Sequence, residues 1–244
     1  MARRWALALA LGCLGGLWWV GNAGLSSAEG QLDTEGDPSA MARIRLPQPR
    51  LKGQMSVEEA IQGRRSRRDY TDEPLTMEQL AQLLWAAQGI TSPREHKRAA
   101  PSAGATFPME IFVAVGPKTV GELPAGVYRY VPTEHALEKT ADGDIRAEVA
   151  AAALGQEFME VAPVDILMAA EYARTGNRYG ERARRYVAME AGHISQNIYL
   201  QAEALGLGTV AVGAFRDQAV AAAFKLPPRL EPVYMMPVGH RAQS

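Results

Sequence analysis

The chain is almost without cysteine. Of its 244 residues only Cys13 carries a thiol, which excludes an internal disulfide and a zinc site built on cysteines. Aromatic residues are sparse at 7%, and three of the four tryptophans, Trp5, Trp18 and Trp19, fall in the first twenty residues. No charge of one sign dominates: the formal net charge of −1 argues against a general nucleic-acid binder. Long apolar runs are lacking too, with one exception. Trp5 to Val20 is an uncharged stretch of 16 residues, short of the roughly 20 that span a bilayer. The signatures G-x-S-x-G, H-E-x-x-H and the P-loop are all missing, so the motif-bearing serine hydrolases, zincins and P-loop NTPases find no support.

What is present divides the chain unevenly. Residues 1–28 combine a basic start (Arg3, Arg4), the apolar run, and small residues, Ser26 and Ala28, before Glu29. This is the pattern of a secretory signal peptide. The alternative is an uncleaved N-terminal membrane anchor with Trp18 and Trp19 at the interface. Arg3-Arg4 also begins a twin-arginine pattern. The expectation is an exported protein, periplasmic or extracellular, that touches a membrane only if the leader is retained. Loss of residues 1–28 leaves 24 basic and 27 acidic residues, a net charge of −3, with Trp85 alone and no cysteine.

Residues 29–53 lack periodicity and are rich in Gly, Pro and charge, which reads as a linker or surface arm. A folded domain is expected over 54–241. Ser56-Val-Glu-Glu59 and Thr76 with Gln79 are capping boxes that open two helices, the second ending at Gly89. Glu110–Val115 reads as a strand, 126–139 as a hairpin turning at Pro132-Thr133, 145–154 as an alanine-rich helix and 164–170 as a buried strand. The longest helix is expected over 181–205, then a strand over 209–212, a short helix over 217–224 and a last strand over 233–238. Residues 91–106 read as a loop. Helices and strands mix without a βαβ repeat, so the fold class is α+β.

Four segments could carry chemistry. Gly63-Arg-Arg-Ser-Arg-Arg-Asp-Tyr70 places four arginines beside a hydroxyl, suited to phosphate oxygens, or to a merely solvated basic stretch. Ala99 to Pro108 is a small-residue loop that lets backbone approach a flat ligand. In the long helix, Tyr186, Glu190, His193 and Asn197 share a stripe; Glu190 and His193 lack a third ligand at useful spacing, so no metal is expected. Gly206 to Phe215 brackets a strand with Gly206, Gly208 and Gly213, and its spacing is not that of a dinucleotide fingerprint.

Taken in order, R-R-S-R-R-D-Y, L-L-W-A-A-Q-G-I, R-A-A-P-S-A-G-A, G-V-Y-R-Y, Y-G-E-R-A-R-R-Y, E-A-G-H-I-S-Q-N and G-L-G-T-V-A-V-G-A-F resemble the nitroreductase-like FMN proteins. The nearest likeness is the SagB-type branch of thiazoline/oxazoline dehydrogenases, over about residues 54–240. The resemblance implies an α/β sandwich with a mostly antiparallel central sheet, forming an intertwined homodimer with FMN at its interface. It implies FMN phosphate and ribityl contacts at Arg64, Arg65, Ser66 and Arg68, and a loop along the ring at Pro101, Ser102, Ala103 and Gly104. Backbone near N5 is implied at Val212, Gly213 and Ala214, with Arg241 completing the phosphate site. Where that branch uses a Lys-Tyr pair, this sequence has Arg178-Tyr179. Tyr179 keeps an acid/base group, whereas arginine does not deprotonate at working pH. The implied activity is hydride transfer between an organic or peptide substrate and FMN, with quinone or oxygen as acceptor. The alternatives are an NAD(P)H-dependent nitro or quinone reductase and a non-catalytic flavin binder.

Overall fold

A computed structural model describes residues 43–95 and 97–242. The leader at 1–28 and residues 29–42 of the arm lie outside the described residues. A seven-stranded antiparallel sheet organises the rest. Its strands are β1 (Arg43–Arg45), β4 (Met109–Val115), β5 (Gly126–Val131), β6 (Ala136–Asp142), β7 (Val164–Ala170), β8 (Leu207–Thr209) and β9 (Glu231–His240), in the order β1-β6-β5-β4-β7-β9-β8. A separate small hairpin pairs β2 (Ile90–Ser92) with β3 (Lys97–Arg98).

The two faces of β4 and β7 feed two cores, as the period of two along a strand requires. Ile111, Val113, Ile166 and Met168 pack on one face against Leu80, Leu83 and Leu84 of helix α2 (Met77–Gln88) and Val187, Ile194 and Ile198 of helix α6 (Ala183–Ala204). Phe112, Ala114 and Leu167 face the other way. They meet α3 (Arg146–Ala152), α4 (Phe158–Val161) and α7 (Asp217–Ala223) through Val149, Met159, Val220 and Phe224. Helix α1 (Val57–Gly63) and helix α5 (Tyr172–Tyr179) complete the set. Both expected capping boxes form: Ser56 Oγ accepts from Glu59 N and Thr76 Oγ1 from Gln79 N, with the Glu59 and Gln79 side chains accepting in return.

The structure corrects four expectations. Part of the arm is a strand: β1 pairs with β6, Leu46 is buried, and its N–H donates to His135 O at 2.9 Å. His135 locks this join. Pro47 O can only accept, so Nε2 donates to it at 2.8 Å and Nδ1 accepts from Tyr130 Oη at 2.8 Å. Within the expected loop at 91–106, β3 pairs back on β2 and Ala103–Ala105 forms a 3-10 turn. The strand expected at 209–212 ends at Thr209, and Val212 rejoins the sheet through an isolated bridge to Met235. Residues 172–179, left without an element between the expected strand at 164–170 and the expected helix at 181–205, form α5. Their helicity is enforced by tertiary bonds: Arg174 Nη2 reaches Glu110 at 2.6 Å and Glu171 at 2.7 Å, and Thr175 Oγ1 lies 2.8 Å from Thr106 Oγ1.

Candidate functional site

Helix α6 is the element on which the candidate segments meet. Near its C-terminal end, Tyr199 joins two of them. Its hydroxyl lies 3.0 Å from Ser66 Oγ and accepts from Ala211 N–H at 2.7 Å, and its ring lies 5.1 Å from the Arg64 guanidinium. The arginine segment is thereby fixed beside residues 211–214. Arg67 reinforces the join by donating its backbone N–H to Thr209 O at 2.9 Å. Sequence reasoning overlooked Tyr199. The signal available was a tyrosine followed twelve residues later by the glycine-bracketed strand.

The other arginines are disposed differently. Arg65 Nη1 folds back on Gln62 O and Arg64 O, both at 2.9 Å, and the Arg68 guanidinium lies 5.7 Å from the Phe158 ring. Among the described residues, Arg64, Arg65, Arg67 and Arg68 have no carboxylate within salt-bridge distance, and Arg67 Nε is buried without a hydrogen-bond partner. Four uncompensated guanidiniums and a serine hydroxyl suit a phosphate. Arg241 lies behind this segment. Its guanidinium pairs with buried Glu203 at 2.7 Å and donates to Leu207 O at 2.9 Å, while Tyr70 bridges to its backbone. Its charge is therefore used inside the protein, and it supports the segment from the rear. Glu203 fills the space over Gly63, where an added Cβ would sit 2.6 Å from Oε1.

The 101–104 loop also rests on α6. Asn197 Nδ2 donates to Ala86 O at 3.0 Å and Ala99 O at 3.2 Å, holding the approach to the loop. Ser102 Oγ accepts from Phe107 N–H at 2.9 Å. Behind it lies Glu190, only 2% exposed, accepting from Gln88 Nε2 at 3.2 Å. Burial pushes the Glu190 carboxyl above the usual range, against the opposing pull of its bonds to Ser102 and Gln88 and the charge of Arg98. Its stripe neighbour His193 is exposed. No metal-binding group of three His, Cys, Asp or Glu occurs among the described residues.

Arg178 and Tyr179 come directly onto this loop. Arg178 Nη1 donates to Gly104 O at 3.1 Å, and the Tyr179 ring sits edge-on to Tyr186 of α6 at 5.0 Å. Gly104 has φ +58°, and a Cβ there would meet Tyr179 Oη at 2.5 Å and Arg178 Cδ at 3.0 Å. Glycine is required twice over, for conformation and for space. Pro101 is exposed, and Ser102 and Ala103 are half-buried. Across the fold, Val212 N–H is committed to Met235 O at 2.8 Å, so Val212 has no amide to offer a ligand. Gly213 and Ala214 are exposed, and no backbone bond among the described residues uses their N–H groups. The structure thus forms two groups: 64–68 with 211–214, and 101–104 with 178–179.

The family model for nitroreductases matches residues 61–240. The chain belongs to the nitroreductase family. A protein of Methanocaldococcus jannaschii that bears the nitroreductase name is 43% identical over 190 residues, covering 78% of this chain and 93% of its own. A nitroreductase-named crystal structure from Ralstonia eutropha JMP134 matches with TM-score 0.73 at 31% identity, covering 83% of this chain and 90% of its own. Two processing proteins are also similar. The trifolitoxin-processing protein TfxB of Rhizobium leguminosarum bv. trifolii is 30% identical over 62% of this chain, and the microcin B17-processing protein McbC of Escherichia coli 27% over 64%. The matches span 41% and 58% of those two longer relatives. These two relatives support the resemblance to the SagB-type branch, and the Ralstonia structure shares the sandwich with its mostly antiparallel sheet. The family is one of oxidoreductases.

Proposed function

We propose that this protein is an exported, FMN-dependent oxidoreductase that moves a hydride between an organic or peptide substrate and the flavin, with quinone or oxygen as the second partner. The observation that carries this reading is the uncompensated Arg64-Arg65-Ser66-Arg67-Arg68 segment, held by Tyr199 next to the exposed amides of Gly213 and Ala214. The residues fit FMN: Arg64, Arg65, Ser66 and Arg68 would hold phosphate and ribityl oxygens, and the Gly213 and Ala214 amides the ring edge. Pro101, Ser102, Ala103 and Gly104 would lie along the ring plane. Bound FMN supplies hydride acceptance and donation. Because the 64–68 and 211–214 set and the 101–104 set are held by different contacts in one chain, a homodimer in which each chain lends its loop to the other's site accounts for both.

The protein's own residues would manage the proton. Tyr179 stands beside the loop with an ionisable hydroxyl, in reach of a substrate lying there. Arg178 holds the Gly104 carbonyl and lies 5.5 Å from the Tyr179 ring. The relatives that process trifolitoxin and microcin B17 support a peptide among the substrates.

The test is direct. The purified protein should be yellow and should bind added FMN. The Arg64→Ala/Arg65→Ala double variant should lose affinity by about 1.5–3 kcal/mol for each charge-assisted contact removed. A colourless protein that fails to bind FMN would sink the reading. Anaerobic reduction of the bound flavin by NADPH faster than by any organic donor, with the protein retained in the cytoplasm on fractionation, would instead favour a nitro or quinone reductase.

A further inference from the structure

The stretch from α5 into α6, residues 172–189, carries five arginines and one acid, Glu181, in a chain of net charge −1. Two of the arginines are neutralised: Arg174 pairs with Glu110 and Glu171, and Arg184 sits 3.8 Å from Glu231 and over the Tyr172 ring. The other three, Arg178, Arg182 and Arg185, are exposed, and none has a carboxylate within salt-bridge distance among the described residues. Their placement is not arbitrary. Arg182 is four residues before Tyr186 and three before Arg185, so these positions share one side of the helix start. Tyr186 is the residue that packs edge-on against Tyr179. Arg178 reaches back over Tyr179 to the Gly104 carbonyl.

We infer that Arg178, Arg182 and Arg185 form an anionic-substrate rim, and that the substrate is a peptide bearing several carboxylates, led by them to Tyr179. This rests on the site proposed above and names its substrate class. Guanidiniums are suited to carboxylates through paired N–H donors. Three of them, one at the end of α5 and two around the start of α6, match an extended acidic segment better than a single small carboxylate. The arrangement also separates two duties: the rim recognises the chain, while the Arg64–Arg68 segment, on the other group, is left for the cofactor phosphate.

The experiment uses the purified protein and a fluorescein-labelled hexaglutamate peptide, read by anisotropy at low and high salt, with hexalysine as control and NADPH as competitor. FMN content is read separately by absorbance. Hexaglutamate should bind and hexalysine should not, and binding should weaken with salt. The Arg182→Gln/Arg185→Gln variant should bind hexaglutamate about five- to tenfold more weakly, a total of about 1–1.4 kcal/mol for its two exposed guanidinium contacts, at unchanged FMN content. Arg64→Ala/Arg65→Ala should do the reverse, losing FMN and keeping the peptide. Equal hexaglutamate binding by wild type and the Arg182→Gln/Arg185→Gln variant would overturn the inference, as would no binding by wild type. Full displacement of the peptide by micromolar NADPH, lost in the same variant, would assign the rim to a dinucleotide and overturn it as well. Absence of FMN binding with the peptide result intact would refute the flavin reading alone.

Discussion

At the scale of single residues, the most constrained positions are those where one atom serves several segments. Tyr199 Oη is one: it accepts from the Ala211 amide and meets Ser66. Tyr199→Phe keeps the ring under Arg64 but strands a partly buried N–H, which should cost about 1–3 kcal/mol in chemical denaturation and weaken FMN retention. Gly104 is another. Gly104→Ala should lower stability by roughly 1–2 kcal/mol from its left-handed backbone alone, and more because of the Tyr179 hydroxyl. In a Tyr179→Phe background the excess should shrink, leaving the Arg178 contact at 3.0 Å, which thermal melts of the double-mutant cycle can read. Asp165 is a different case. It is fully buried on β7, neither carboxylate oxygen has a hydrogen-bond partner, and burial raises its pKa well above the ordinary value despite the nearby Arg146. A raised folded-state pKa gives stability that is complete below the unfolded value and is lost as pH rises through the folded one. Asp165→Asn should therefore gain on the wild type as pH climbs above about 4, measured by urea titrations at several pH values.

At the scale of elements, legibility in the sequence followed how local the cause was. Helix α2 was readable because its cap, its apolar stripe and its terminal Gly89 are all written within fourteen residues, Thr76 to Gly89. Strand β4 was readable because Glu-Ile-Phe-Val-Ala-Val is uninterrupted. Strand β1 was not, since Arg-Ile-Arg offers one apolar residue and its partner β6 lies more than ninety positions on. Helix α5 was hidden by Gly176 and Asn177, poor helix formers, and exists because Arg174 and Thr175 are tied to distant residues. The candidate segments at 64–68 and 101–104 stand out in the sequence because each is a short run of one composition, arginine in one and small residues in the other. What a side chain or amide is committed to is not legible where a long-range pairing redirects it, as with Arg241 on Glu203 or the Val212 amide on Met235. The β1 join makes its own forecast. Leu46 is buried, and Leu46→Ala should cost about 2–4 kcal/mol. Desolvation lowers the His135 pKa, so this join contributes stability above the unfolded histidine value and loses it as pH falls through the folded one. Amide exchange over 44–46 should quicken in that acid range and not above it.

At the scale of the whole molecule, the sheet separates two cores, and the candidate site is distributed along the helix that covers one of them. If each chain lends its loop to the other, the protein should have the mass of a dimer in solution by light scattering. A mixture of Arg64→Ala/Arg65→Ala chains with Gly104→Val chains should also recover part of the activity that each lacks. A monomeric holoprotein would end that account. Helix α6 has 22 residues, or about 33 Å at 1.5 Å per residue. The Tyr199 and Glu203 attachments stand near one end, with Tyr186 and the arginine rim at the other. Such a length divides the labour of evolution as well as of chemistry. If the arginine rim selects the substrate, changes near residues 172–186 should retune which molecules are admitted without disturbing the far end. Grafting that short segment between relatives is accordingly a route to altered substrate preference on an otherwise untouched scaffold.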